Sequence, residues 1–161
     1  MRLTHLADYA VVILSAAARR PAGERLSAAC LAQETGVPLP TAQKLMGRLA
    51  VAGLLTGTRG SQGGYVLARD AAAISLADIV EAVEGPIAMT QCADGDNHDC
   101  ALDAHCRVKP HMGVVSGAVR GALDAVSLQQ LCSPAEAGAQ TREAPHAASP
   151  DWAPAFAGAQ S

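Results

Sequence analysis

The sequence predicts a mainly α protein carrying one small two-stranded β wing. Three observations lead there. Residues 4–53 fall into three segments of helical period, each stopped by glycine or proline. Residues 54–68 hold two short strand-like runs around a glycine-rich turn. Half the chain is apolar, yet its only aromatics are Tyr9, Tyr65, Trp152 and Phe156. Alanine, leucine and valine must therefore fill the core, which favours closely packed helices.

The first helix is expected over residues 4–19, where Leu6, Ala10, Ile13, Leu14 and Ala17 recur at helical spacing and Pro21 and Gly23 end the run. Arg2 followed by AVVILSAAA has some look of a secretory leader, but His5 and Asp8 interrupt the approach and the apolar run is short. No segment reaches the roughly 18 apolar residues of a membrane span, so a cytoplasmic protein with no membrane partner is expected. Ser27 is placed to cap a second helix, AACLAQET, which stops at Gly36. The third, TAQKLMGRLAVAG, has Pro40 in its first turn, a stripe of Leu45, Leu49 and Ala52, and Gly53 at its end. The strands are LLTGT at 54–58 and GYVLA at 64–68, joined by RGSQGG.

This order is that of a winged helix-turn-helix. The third helix would enter the major groove of double-stranded operator DNA, with the strand-to-strand loop lying over the backbone. Thr41, Gln43, Lys44, Met46 and Arg48 are read as lying off the apolar stripe. Glutamine can pair with adenine, and lysine and arginine with phosphate or guanine. The wing offers Arg59, Ser61 and Gln62 on a thin backbone suited to a narrow minor groove. The charge distribution agrees. Residues 1–70 carry eight Lys/Arg against four Asp/Glu, and residues 71–161 four against eleven, so the anionic partner belongs to the first half.

SLADIVEAVEG follows, with Ser75 and Asp78 spaced as a capping box and Gly85-Pro86 as its stop. Residues 108–126 read as a long helix whose Met112, Val115, Val119, Ala122 and Val126 repeat in heptad fashion. That seam suggests a two-fold dimer, the usual state of paired DNA readers. Residues 133–161, rich in alanine, proline and glycine, are expected to be a disordered tail. The division is thus 1–84 for DNA binding, 85–107 for a cysteine-rich loop, 108–132 for dimerisation and 133–161 for the tail.

The loop QCADGDNHDCALDAHCRV is not core material. Cys92, Cys100 and Cys106 are separated by seven and five residues, looser than a zinc knuckle. Thiolates suit zinc, copper(I) and iron–sulfur clusters, and His98, His105 and His111 lie close by. Asp94, Asp96, Asp99 and Asp103 would raise the pKa of a bare thiol, which favours a bound cation. Spacing alone leaves zinc, an iron–sulfur cluster and redox thiols open. Cys30 and Cys132 stand apart and read as ordinary thiols. No clustered acid–base set suggests an enzyme.

Several segments together resemble one family. MRLTHLADYAVVIL, RGSQGGYVLARD, SLADIVEAVEGPI and the three spaced cysteines, in this order, are similar to the iron–sulfur winged-helix regulators of the Rrf-two family, over roughly residues 1–132. Within it the opening and the EGPIAMTQC approach are most like the branch that regulates the Suf operon. The resemblance implies that Cys92, Cys100 and Cys106 hold a 2Fe-2S or 4Fe-4S cluster. One branch takes its fourth ligand from a histidine three residues past the third cysteine. Here that residue is Lys109, and His111 comes two later. Another branch takes an aspartate from the partner's first helix, a place that Asp8 fills. Asp8 is therefore the expected fourth ligand and His111 the runner-up. The implied function is an iron–sulfur-sensing repressor of suf-type assembly genes. The alternatives are a nitric-oxide- or redox-sensing repressor of the same family, or a zinc-stabilised DNA-binding protein without a sensing role.

Overall fold

The structure is a computed structural model that describes residues 3–58, 63–90 and 106–133. In chain order it comprises α1 (His5–Ala18), α2 (Ala28–Thr35), α3 (Leu39–Val51), β1 (Leu55–Thr58), β2 (Gly64–Leu67), a 3-10 turn at Ala71–Ala73, α4 (Leu76–Glu84), α5 (Lys109–Asp124) and α6 (Leu128–Cys132). This is the mainly α architecture with a two-stranded wing that the sequence predicts. No helix of the described residues is long and apolar enough to cross a membrane.

Local chemistry sets the helix ends. Thr4 caps α1 by accepting from the Ala7 amide, and Ser27 caps α2 by accepting from that of Cys30. Gly36 closes α2 at φ +76°, a left-handed conformation that a side chain would strain. Ser75 and Asp78 form the reciprocal capping box at the start of α4, each accepting from the other's amide at 3.1 Å.

Helix α1 crosses the centre of the molecule, with Ala7, Ala10, Ile13, Leu14 and Ala17 buried. Around it lie Leu31 of α2, Leu45, Met46 and Leu49 of α3, Leu54, Ile74 and Ile79, all fully buried. Among the described residues no aromatic ring is one of the largest fully buried side chains, and Tyr9 and Tyr65 pack at the margin. On α3 the sequence reading needs two corrections. Met46 is 0 % exposed and belongs to the core stripe with Ala42, Leu45 and Leu49, so it is not available on the outer face. Ala52 is exposed, because the helix has ended at Val51 and the chain turns at Gly53 with φ +72°.

Strands β1 and β2 pair antiparallel from Leu55↔Leu67 to Thr58↔Gly64. Leu26 joins them, exchanging both backbone hydrogen bonds with Tyr65 at 2.8 Å. The segment leading into α2 is thereby tied to the wing. A Cβ at Gly64 would come within 3.1 Å of the Leu26 carbonyl, so the close approach favours glycine there.

Helix α6 is an element that the helical periodicity of residues 108–126 does not predict. Its Ser127–Gln130 capping box starts a new helix after α5 has ended. Two backbone bonds, Leu76 N to Val126 O and Leu128 N to Ile74 O, both 2.8 Å, join this point to the start of α4. They deliver Leu128 into the core, where it is fully buried. Leu128→Ala is expected to lower unfolding stability by about 2–4 kcal/mol through the cavity it leaves. Denaturant unfolding checks this, and a loss near zero would mean that α6 does not dock.

Candidate nucleic-acid interface and cysteine segment

The outward side of α3 presents Gln43, Lys44 and Arg48 as exposed side chains, with Thr41 half-buried at its first turn. Arg48 is also engaged within the protein: its Nη1 donates to the Val83 carbonyl at 2.9 Å. The wing residues Arg59, Ser61 and Gln62 lie outside the described residues. Thr58 and Gly64 on either side of them are paired in the sheet.

Of the three cysteines in the loop, Cys92 and Cys100 lie outside the described residues. Cys106 is a free, half-buried thiol just ahead of α5. At the other end of the segment the Met89 amide donates to the Ser116 hydroxyl at 3.0 Å, and Ser116 is buried on α5. The segment is thus joined to the first half of one helix at both ends, by this hydrogen bond ahead of it and by chain continuity after it. His111 is exposed in the first turn of that helix. Asp8 is exposed on α1, beside His5 and Val12 on the same side. Its carboxylate has no hydrogen bond or ion pair among the described residues. These residues contain no group of three metal-capable side chains, as follows from two of the cysteines lying elsewhere. Cys30 is exposed on α2. Cys132 is tied to the core, its Sγ donating to the Ser15 carbonyl at 3.5 Å.

Helix α5 has two apolar sides. Met112, Ser116, Val119, Leu123 and Val126 face inward and are buried or half-buried, on a helix that packs against α4. Three of the five predicted seam positions, Met112, Val119 and Val126, thus lie on the side turned to the protein's own domain. The opposite side exposes Val114, Ala118, Gly121 and Ala125, at spacings of four, three and four. Val114 is 73 % exposed, and a Cβ at Gly113, Gly117 or Gly121 would meet nothing within 4 Å.

The last turn of α4 is a junction the sequence reading missed. Glu81 receives two hydrogen bonds from Arg120 of α5, from Nε at 3.0 Å and from Nη2 at 3.2 Å. The hydrogen bond to Glu81 holds the Arg120 guanidinium above its ordinary pKa. Val83 receives Arg48 of α3, and Glu84 accepts a hydrogen bond from the Thr4 hydroxyl at the head of α1. The partners are 39, 35 and 80 residues apart in sequence, and one acceptor is a backbone carbonyl, so periodicity carried no sign of them.

Residues 3–134 match the Rrf2 family, described as iron-dependent transcriptional regulators. The chain is similar to the HTH-type transcriptional regulator IscR of Salmonella agona, at 29 % identity over 92 % of this chain and 93 % of the relative. It is also similar to IscR of Photorhabdus laumondii, at 29 % identity over 81 % of this chain and 79 % of the relative. Among solved structures, CymR (YrzC), the global cysteine regulator of B. subtilis, superposes with a TM-score of 0.62 at 25 % identity, covering 82 % of this chain and 96 % of the other. T. potens IscR gives a TM-score of 0.59 at 24 % identity, covering 81 % and 85 %, a likeness of fold.

Proposed function

Since this chain belongs to the Rrf2 family of transcriptional regulators, we propose that it works in the cytoplasm as a homodimeric, iron–sulfur-sensing repressor of suf-type cluster-assembly genes. Membership of the family carries DNA-binding transcriptional regulation, and the relatives are regulators rather than enzymes. Thr41, Gln43 and Lys44 on α3 read the major groove in this proposal, with Arg59, Ser61 and Gln62 on the wing. Two copies meet through the outward side of α5.

The observation that carries the sensing role is the attachment of the cysteine segment at both ends to α5, with the free thiol of Cys106 at the junction. The donor set fits an iron–sulfur cluster. Cys106 is a free, half-buried thiol, and Asp8 is an exposed carboxylate with no partner among the described residues. Cys92, Cys100 and Cys106 would hold the cluster as thiolates and Asp8 of the partner subunit would complete the set, with His111 as the alternative. Bound there, a 2Fe-2S or 4Fe-4S centre supplies redox activity and sensitivity to oxygen, nitric oxide and chelation. The chain's own part is mechanical. Asp8 rides on α1, which packs against α4 and α6, and holding Asp8 favours one setting of the two DNA-reading halves over another.

Anaerobic purification with iron and sulfide analysis, followed by operator titration of both forms, tests the reading. A colourless protein holding zinc would overturn it. Asp8→Ala is expected to shorten cluster lifetime in air by about tenfold or more, since even changes beyond the ligands themselves lower metal affinity about 10–100-fold. An unchanged lifetime would hand the fourth position to His111.

A further inference from the structure

We propose that Arg48 is a positioning residue, and that the last turn of α4 is the junction through which α5 sets the recognition helix α3. This rests on the regulatory reading above and adds the route by which the cysteine segment reaches the DNA face. Glu81, Val83 and Glu84 belong to a single turn, and each is fastened to a different element: α5 through Arg120, α3 through Arg48, and α1 through Thr4.

The chemistry of the Arg48 contact is specific. The last carbonyls of a helix lack intrahelical partners and carry the negative end of its dipole. A guanidinium donating to Val83 satisfies one of these carbonyls and places positive charge where the dipole favours it. Arg48 sits at the edge of the outward side of α3, one turn past Lys44. Its reach to α4 joins the recognition helix to a helix that does not itself belong to the reading surface. The Arg120–Glu81 pair uses both carboxylate oxygens, a fork geometry that fixes orientation as well as distance. A shift of α5 is therefore transmitted to the α4 turn, and the same turn carries α3 with it.

The experiment uses the full-length chain and a DNA duplex that the wild type enriches from a random-sequence pool under anaerobic conditions. Affinity is measured for the iron–sulfur-replete and the iron-chelated forms across a salt series. The wild type should discriminate its two forms by about 5–150-fold, the usual range of allosteric coupling. Glu81→Gln and Arg48→Gln should each reduce that ratio by about threefold or more, and the double variant should lose little beyond the larger single effect, because both act on one route. The salt dependence should be unchanged in Arg48→Gln. If its slope falls by about one, Arg48 is a phosphate contact and the proposal is overturned. If the wild type discriminates its forms and both variants keep the ratio, the linkage is overturned while the regulatory reading stands. A wild type that enriches no duplex, or binds it equally in both forms, overturns the regulatory reading.

Discussion

Cys106→Ala should give a colourless chain. Anaerobically purified wild type is expected to show the visible absorbance of thiolate-bound iron, and the variant to retain about a tenth of its iron or less, given that even outer-shell losses lower metal affinity 10–100-fold. Cys132→Ala is the control. Its thiol donates to the Ser15 carbonyl and packs against the core, so its replacement should disturb packing without touching iron content. The apo fold should tolerate the Cys106 change to within about 0.5 kcal/mol, as partly exposed positions away from caps and core do. A variant that keeps the chromophore removes Cys106 from the ligand set and with it the role given to the attachment on α5.

The fold was legible wherever local chemistry and periodicity pointed the same way. Thr4 and Ser27 cap where the apolar periodicity begins, and Ser75 with Asp78 announces α4. Gly36 and Gly53 end helices at positive φ. The wing followed from two short runs around a glycine cluster. What escaped was short or long-range. Helix α6 has five residues, too few for a period, although its Ser127–Gln130 pair was a readable start signal. Met46 escaped because a helix this short admits either Met46 or Ala52 beside Leu45 and Leu49 on one apolar face, and only the helix end at Val51 decides between them. The α4 junction depends on partners far apart in the chain. For the proposed site, the cysteine spacing and Asp8 as a candidate ligand come from the sequence alone. It held no sign that the Met89 amide is anchored on Ser116, because a serine among glycines and valines on α5 looks like another small surface residue.

Helix α5 shows why a heptad pattern alone does not identify an interface. Nearly every residue from Gly113 to Ala125 is small or apolar, Arg120 and Asp124 excepted, so the sequence contains two seams. Met112, Val119 and Val126 belong to the seam that covers the protein's own domain. The other, through Val114, Ala118, Gly121 and Ala125, is left to solvent in the single chain. An apolar stripe at four-three-four spacing with glycine beside it lets a second helix approach closely, and a two-fold axis would bring the same positions face to face. Ala118→Glu tests this with the largest effect we expect on DNA binding. Glutamate is a good helix former and Ala118 is exposed, so the single chain should fold unchanged. In a dimer, however, two carboxylates would be buried close together without partners, a change of several kcal/mol by the usual cost of unpaired buried charge. Sedimentation equilibrium should then report a monomer, and operator affinity should fall by about a hundredfold or more, since each half-site would be bound alone. Gln129→Glu, which adds the same charge at an exposed position of α6, should leave both measurements unchanged. A dimer that persists in Ala118→Glu would mean that the outward side of α5 is not where the two copies meet.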